Sequence, residues 1–375
     1  MSTLKELLNK HCPNGTEYKT LEDVCSIYTG KQLNRKNMIK EGYPVINGGV
    51  SASGYTDKYN EEENTITIAQ GGNAGFVNFI NTKFWAGAHC YVIKPIIENI
   101  NNKFLFYVLK NIEKYIMSLK TGTTILGLQK IKVLTLKIPI PPIEVQKEIV
   151  RILDTFTKYQ DLLNRELELR KKQYEYYRDK LLTFAEGTQP CGDKVEWKNI
   201  DEIVNILDNL RKPVSKDKRT KGNYPYYGAN GIQDYVDNYI FDGTFILMGE
   251  DGSVINKDNS PVLNWASGKI WVNNHAHVLF NENIDILRFV FYYLQTVDVS
   301  SIVRGTPPKI NQQNLRSIKI PVPPLEEQER IVNILDKFDA LCNDITKGLP
   351  AEIEMRKKQY EYYRDKLLTF KEKNK

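Results

Sequence analysis

The sequence is poor in the residues that build metal sites and disulfide frameworks. Its 375 residues include five cysteines and four histidines, and no two cysteines stand in a C-x-x-C pair. We therefore expect reduced thiols, with neither a zinc site nor a disulfide framework. An apolar run such as Phe289–Leu294 is far too short to span a bilayer. The opening residues lack the apolar core of a signal peptide, so we expect a cytoplasmic protein without contact to a membrane.

Motifs of common enzyme classes are also missing. The sequence has no G-x-x-x-x-G-K-[ST] segment, and no Pro-Pro pair stands in the acidic-or-amide, Pro-Pro, aromatic motif of adenine methyltransferases. His275 and His277 are two residues apart, but the sequence alone places no acid or cysteine beside them. A structural role is therefore favoured over a metal-binding or general-base role. We predict no catalytic residue, no metal site and no cofactor site in this chain.

The charge balance permits a polyanionic partner without requiring one. Lys and Arg number 52 and Asp and Glu 46, which gives a net charge of +6. A hydrophobic content of 41% excludes a disordered chain, and the length suits two domains.

An internal repeat organises the chain. The segment Lys137–Phe156 returns as Lys319–Phe338, and RKKQYEYYRDKLLTF occurs unchanged at Arg170–Phe184 and Arg356–Phe370. The chain therefore consists of two tandem halves, each with a diverged globular part followed by a nearly constant part. We infer that the constant parts contact something common to both halves, and that the globular parts contact things that differ.

The constant parts are predicted to be long helices. A heptad seam runs through Ile143–Leu182 behind the proline pair Pro141-Pro142. Its a positions are Ile149, Phe156, Leu163, Arg170 and Tyr177, and its d positions are Leu153, Gln160, Leu167, Tyr174 and Leu181. A similar helix follows Pro323-Pro324, and Gly348 and Pro350 should kink or interrupt it.

Each helix has an apolar stripe that needs a partner. We expect the two helices to pack as an antiparallel coiled coil that relates the halves by a pseudo-twofold axis. The alternative is that the helices are simply a core whose identity reflects duplication. The functional interpretation is that matching helix ends offer docking sites to two copies of one partner. The candidate residues are Arg170, Lys171, Tyr174, Tyr177, Arg178, Arg356, Lys357, Tyr360, Tyr363 and Arg364.

The globular parts carry basic loops at equivalent positions. Each loop is followed by Tyr-Pro and a glycine-bearing turn. Lys and Arg neutralise phosphates, and Asn and Tyr reach base edges or phosphate oxygens. The candidates in the loops and turns are Lys31, Arg35, Lys36, Asn47, Arg211, Lys212, Lys216, Lys218, Arg219, Tyr227 and Asn230. A second group lies before the proline pairs and comprises Lys120, Thr123, Arg304, Lys309 and Asn311. A single basic loop is usually a solvated surface, and a structural connector explains the second group equally well.

Three segments carry a family resemblance. PPLEEQERIVNILDKF, YPYYGANGIQDYVDNYIFDGTFILMGEDG and GKIWVNNHAHVL resemble the specificity subunit of type I restriction-modification enzymes. The resemblance implies an α+β fold with four segments in order. These are target-recognition domain 1 (residues 1–142), helical spacer 1 (143–186), target-recognition domain 2 (187–324) and helical spacer 2 (325–375, kinked near 347–350).

The resemblance also implies partners. In that family the subunit binds a bipartite, asymmetric site on double-stranded DNA, and its helices set the gap between the half-sites. Two methyltransferase subunits dock on the helices and use S-adenosylmethionine, and two motor-nuclease subunits use ATP and magnesium. None of that chemistry would reside in this chain.

Two other functions stay open on the sequence. A two-headed scaffold for protein or glycan ligands would bind with a shallow dependence on salt, whereas phosphate contacts give a steep one. The chain could also be the recognition part of a single-chain methyltransferase, although the missing cofactor motifs count against this.

Overall fold

The chain forms two compact units in the computed structural model, which describes residues 2–122, 126–184 and 195–373. Unit 1 comprises residues 1–164 and 353–375, and unit 2 comprises residues 165–352. Each unit combines β-sheets, short helices and parts of both long helical segments, which confirms the predicted α+β class. The pseudo-twofold axis between the halves stays a prediction.

The helices occupy similar places in the two halves. They are α1 (Ser2–His11), α2 (Leu21–Val24), α3 (Asn102–Asn111), α4 (Glu113–Ser118), α5 (Lys130–Leu134), α6 (Ile143–Leu182), α7 (Ile284–Leu294), α8 (Gln312–Arg316), α9 (Leu325–Asn343) and α10 (Leu349–Leu368). Among the residues that the structure describes, no helix combines the length and apolar character that a membrane-crossing segment needs.

The strands also repeat. They are β1 (Glu17–Thr20), β2 (Cys25–Thr29), β3 (Tyr43–Ile46), β4 (Tyr55–Thr56), β5 (Thr65–Ala69), β6 (Val77–Ile80), β7 (Trp85–Ala86), β8 (Cys90–Pro95), β9 (Lys137–Ile140), β10 (Glu196–Asn199), β11 (Asn205–Ile206), β12 (Lys221–Gly228), β13 (Gly231–Val236), β14 (Phe241–Gly249), β15 (Leu263–Val272), β16 (Ala276–Phe280) and β17 (Lys319–Val322).

Sheet topology is shared by the units with small variations. Unit 1 has an antiparallel sheet β2-β8-β5-β6 and a smaller sheet β4-β3-β7, and unit 2 joins the same arrangement into one sheet, β11-β16-β14-β15-β12-β13. In both units one tryptophan-bearing strand runs parallel to the strand after the basic loop, with Val45 opposite Trp85 and Tyr226 opposite Trp271. The repeat in sequence is therefore also a repeat in strand pairing.

The proline pairs lead into the long helices as predicted. α6 begins at Ile143 and α9 at Leu325, directly after Pro141-Pro142 and Pro323-Pro324. A buried glutamine secures each entry, because Gln146 Nε2 donates to Pro141 O at 2.7 Å and Gln328 Nε2 donates to Pro323 O at 2.9 Å.

An aromatic cluster pairs antiparallel helices inside each unit. In unit 1 the ring of Phe156 on α6 stacks on Tyr363 of α10 at 5.5 Å, and Tyr360 lies 6.4 Å away. In unit 2 the ring of Phe338 stacks on Tyr177 at 5.7 Å, with Tyr174 at 6.3 Å. The tyrosines of each repeated segment thus pack on the phenylalanine of the other half's helix.

The second helical segment is interrupted between α9 and α10, as Gly348 and Pro350 predict; here TKGLPAEIEM makes this segment four residues longer than its counterpart in the first half. The Asp344 carboxylate accepts from the amide of Thr346 at 2.7 Å, and Gly348 N donates to Asp344 O at 2.9 Å. A Cβ on Gly348 would lie 2.5 Å from Ala340 O, so this close backbone approach admits only glycine.

Candidate nucleic-acid interface

Basic loop 1, residues 31–40, follows β2 and is held at its start by a tryptophan. The side chains of Lys31, Arg35 and Lys36 are exposed, and Arg35 and Lys36 lie in a short 3-10 turn. Trp85 Nε1 donates to Lys31 O at 2.8 Å, and Lys31 N donates to Ala86 O at 2.8 Å. The loop thus leaves the sheet from a fixed point with its cations in solvent.

Basic loop 2, residues 211–220, is anchored in the same way. Trp271 Nε1 donates to Lys212 O at 2.6 Å, and Lys216 and Lys218 are exposed in a 3-10 turn. The two tryptophans were missed as functional residues, although both open paired segments of the repeat, WAGAHCYVIK and WVNNHAHVLF. The same tryptophan hydrogen bond thus places both loops at equivalent positions, while the residues of the two loops differ.

Two arginines of basic loop 2 are turned toward the protein. The guanidinium of Arg211 is 11% exposed and bonds Glu250 Oε2 at 2.6 Å and Ala276 O at 2.7 Å. Arg219 lies 4.1 Å from the ring centroid of Tyr226 and 3.3 Å from the Asp234 carboxylate. These contacts favour a loop-shaping role for both arginines and leave Lys212, Lys216 and Lys218 as the exposed cations of the loop.

The turns after the basic loops place the polar candidates differently. Asn230 is exposed between β12 and β13, whereas Tyr227 is partly buried on β12, where burial raises its pKa. Asn47 is partly buried against Gly87, where a Cβ would lie 1.9 Å from Asn47 Oδ1. Of these three residues, Asn230 is the most accessible to a ligand.

Two members of the second group of candidates, Arg304 and Lys309, lie in a hairpin of unit 2. In unit 2, hairpin 2 (residues 304–309) is closed by Lys309 N donating to Arg304 O at 2.8 Å and by the reverse bond at 2.9 Å. Arg304 and Lys309 are exposed, and Asn311 caps α8 by accepting from Asn314 N at 2.7 Å. In unit 1, Lys120 precedes the equivalent hairpin, and Thr123 lies outside the described residues.

Hairpin 2 meets the start of basic loop 2 through a cluster of charges. One carboxylate oxygen each of Asp208 and Glu250 and one ring nitrogen of His277 lie within 4.8 Å of one another. Arg211 and Lys309 neutralise the carboxylates, with Lys309 Nζ 3.2 Å from Glu250 Oε1. Burial raises the pKa of Asp208, but the hydrogen bond and charge of His277, the amide of Val278 and the charge of Arg211 together lower it below its usual value. The cluster is an ion-pair network.

The helical candidates divide into packed and exposed side chains. Tyr174 is buried, which raises its pKa to about 12, and Tyr360, Tyr363 and Tyr177 pack on the phenylalanines of the aromatic clusters. Lys171 and Lys357 are exposed. Three arginines contact side chains of their own helix, Arg170 with Glu166, Arg178 with Asp179 and Arg356 with Gln359. Arg364 instead contacts Asn111, which is distant in sequence.

A further tyrosine of the repeated segment faces solvent in both copies. Tyr176 and Tyr362 are each 60% exposed, and Lys180 and Lys366 each lie 5.7 Å from the ring of that tyrosine. The heptad pattern directs attention to the seam positions, so it missed this outward position. Its signal was the second of the three tyrosines in the repeated YEYY.

Comparisons with known proteins agree with this architecture. The family model described as type I restriction modification DNA specificity domain matches residues 13–170 and again residues 193–355. A type I restriction enzyme specificity subunit of Haemophilus influenzae is 45% identical over 189 residues, which are 49% of this chain and 49% of that protein. The EcoR124I/EcoR124II specificity subunit of Escherichia coli is 36% identical over 263 residues, 62% of this chain and 63% of that protein.

The similarity to these relatives is partial in length. The chain spans about half of the first relative and less than two thirds of the second. The crystal structure of the S subunit of a type I restriction-modification system from M. genitalium has a TM-score of 0.63 at 22% identity, covering 94% of this chain and 96% of that chain. This last similarity concerns the fold.

Proposed function

The chain belongs to the family of type I restriction modification DNA specificity domains, and from this membership we propose that it is the DNA-reading subunit of such an enzyme. Each unit reads one half of a bipartite site, and the helices set the gap between the halves. The chain is itself non-catalytic. Partner subunits supply methylation with S-adenosylmethionine and cleavage with ATP and magnesium.

The observation that carries this proposal is the pair of exposed basic loops on a shared anchor. Both loops leave the sheet beside a tryptophan whose Nε1 bonds the first lysine's carbonyl oxygen. Phosphate contacts position a protein on DNA, and base contacts specify the sequence. Loops that start from the same anchor but differ in sequence therefore suit two different half-sites on one DNA duplex. A scaffold for unrelated ligands would not need exposed cations at equivalent places in both units.

The test is a selection from duplexes randomised in two blocks, with the chain in complex with its methyltransferase partner. We expect two enriched half-sites separated by a fixed gap, and an affinity that falls steeply with salt concentration. Enrichment without sequence preference, or a shallow salt dependence, would favour the two-headed protein- or glycan-binding scaffold instead.

The tryptophan anchors give a first specific prediction. Trp271→Phe removes the Nε1 hydrogen bond to Lys212 O but keeps the apolar ring. A neutral hydrogen bond contributes about 1 kcal/mol, so we expect roughly fivefold weaker discrimination at one half-site. Trp85→Phe is the matched variant and should weaken the other half-site only. Selections with each variant measure this, and loss at both half-sites from one substitution would contradict the assignment of one unit to each half-site.

We assign methyltransferase docking to the exposed tyrosines of the repeated helix segment. One identical exposed tyrosine in each copy suits two copies of one subunit, which is the stoichiometry that the family resemblance implies. Tyrosine is common at the energetic centres of interfaces because its ring is rigid and amphipathic. The candidates Lys171 and Lys357 are exposed in the same segments.

Removing these tyrosines should impair assembly. We expect Tyr176→Ala combined with Tyr362→Ala to weaken binding of the methyltransferase subunit about tenfold or more, as measured by titration calorimetry. The control is Ile345→Ala, which removes an 80% exposed apolar side chain in the interruption between α9 and α10. Equal affinities for the double variant and the unaltered chain would exclude this docking site.

A further inference from the structure

The ion-pair network of unit 2 has a neutral counterpart in unit 1. Strand pairing shows which residues occupy equivalent places in the two units. Leu207 N donates to Val278 O in unit 2, and Tyr28 pairs with Val92 in unit 1, so the next residues along the chain, Asp208 and Thr29, are equivalent. The remaining two correspondences place Glu250 with Gln70 and His277 with Tyr91.

Both units have a hydrogen bond between a side chain of this set and a backbone oxygen, but the two side chains differ. Tyr91 OH donates to Leu128 O at 2.7 Å in unit 1, and His277 Nε2 lies 2.8 Å from Ile310 O in unit 2. Each bond fixes the backbone at Leu128 or Ile310 to the strand that follows the anchoring tryptophan, which is β8 in unit 1 and β16 in unit 2. Only unit 2 performs this task with a side chain that can carry a positive charge.

The surroundings of His277 require a proton on both ring nitrogens. Its side chain is fully buried, and Ile310 O is an acceptor only, so Nε2 donates. Nδ1 lies 2.6 Å from the Asp208 carboxylate, which also accepts when ionised. An imidazole that donates from both nitrogens is an imidazolium.

His277 connects the two basic segments of unit 2. Asp208 stands three residues before basic loop 2 begins, and Ile310 directly follows hairpin 2. The charged and titratable groups around the ring are Asp208 and Arg211 before β12, Glu250 and Asp251 after β14, Lys309 of hairpin 2 and His275 on the same segment.

We infer that His277 is the positioning residue of unit 2, and that its positive charge holds basic loop 2 and hairpin 2 in one fixed arrangement. The inference for DNA rests on the proposed function: reading of the half-site of unit 2 depends on this charge, and reading by unit 1 does not. Tyr91, the counterpart in unit 1, makes its hydrogen bond as a neutral phenol, and burial raises its pKa.

Hydrogen exchange of the full-length chain tests the positioning role without DNA. The reporters are the amides of Arg304, Lys309 and Ile310, which bond within hairpin 2 or to Glu250 O. We expect His277→Gln to speed their exchange about ten- to a hundredfold, the range that loss of a charge-assisted hydrogen bond gives. The matched control Tyr91→Phe should leave these amides unchanged and expose the amide of Leu128 in unit 1.

The protonation state of the ring separates a role of charge from mere packing. We expect the ring nitrogen shifts of ¹⁵N-labelled His277 to show both nitrogens protonated while hairpin 2 is protected from exchange. Unchanged exchange in His277→Gln, or a neutral His277 with hairpin 2 still protected, would overturn the inference.

Selection from the bipartite library then tests the DNA part. In the complex with the methyltransferase, His277→Gln should weaken the sequence preference at one half-site only, while Tyr91→Phe should leave the preference at that half-site unchanged. If hairpin 2 loosens and selection of both half-sites persists, the positioning role stands and the link to reading by unit 2 fails. If no half-site is selected under any condition, the proposed function fails and the exchange result still decides the positioning role.

Discussion

Replacing Lys212, Lys216 and Lys218 together by glutamate should weaken DNA binding by the complex about a hundredfold or more. These are the exposed cations of basic loop 2, whereas Arg211 and Arg219 are engaged with protein groups. Each lost phosphate contact removes roughly fivefold in affinity at physiological salt through counterion release, and the reversed charges add repulsion. Fluorescence anisotropy over a salt series measures both the loss and the expected decrease of the salt slope by about three.

A control with the same change in net charge separates local from global electrostatics. Lys257, Lys319 and Lys347 are exposed in unit 2 outside basic loop 2 and hairpin 2. Their replacement by glutamate should lower affinity by no more than about threefold, because screening in salt weakens distant charges. Equal losses in the two triple variants would mean that net charge, not the loop, attracts DNA.

Deleting four residues from both long helices should change the gap of the recognised site and leave the half-sites unchanged. α6 passes from unit 1 into unit 2 at Asn164–Arg165, and α10 passes back at Glu352–Ile353. Four residues are close to one helical turn, so the buried face is kept while the helix shortens by about 6 Å and turns by roughly 40°. One base pair turns DNA by roughly 35° and rises about 3.4 Å, so the turn and the shortening together predict a gap that is one to two base pairs shorter.

Affinity for the original gap should fall about tenfold or more, since the DNA must then be twisted to fit. Selection from duplexes with variable gaps gives the new optimum. A deletion in α6 alone is the control, because it shifts one helix against its antiparallel neighbour and should impair folding instead of resetting the gap. If the variant with both deletions still selects the original gap, the helices do not set the distance between the half-sites.

Features that repeat or follow a period were predictable from sequence. The starts of α6 and α9 at Ile143 and Leu325 follow from the proline pairs, and the interruption before Leu349 follows from Gly348 and the inserted residues. The apolar pattern of Asn102–Leu119 is typical of one helix, but the structure divides the segment at Ile112 into α3 and α4, because Ile112 leaves the helical conformation with φ −95° and ψ 12°. The spacing of apolar residues is the same in α3 and α4, so it does not reveal that the helix is interrupted at Ile112.

Side-chain roles within the basic loops could not be predicted from residue type. Arg211 and Lys212 are neighbours of the same charge, yet Arg211 is 11% exposed beside Glu250 and Lys212 is exposed in solvent. Glu250 is distant in sequence, so the pairing appears only when β14 brings it to the loop. The same holds for Trp271, whose partner is the carbonyl oxygen of Lys212.

The sequence by itself determined the duplication, the two kinds of segment and the helical period, because identity and periodicity are properties of the chain alone. Tertiary structure decided which of two adjacent cations meets solvent, which of three tyrosines turns outward, and that His277 lies buried between Asp208 and Ile310. These outcomes depend on groups distant in sequence that only folding brings within hydrogen-bonding distance, where removal from water makes an unpaired charge too costly to keep.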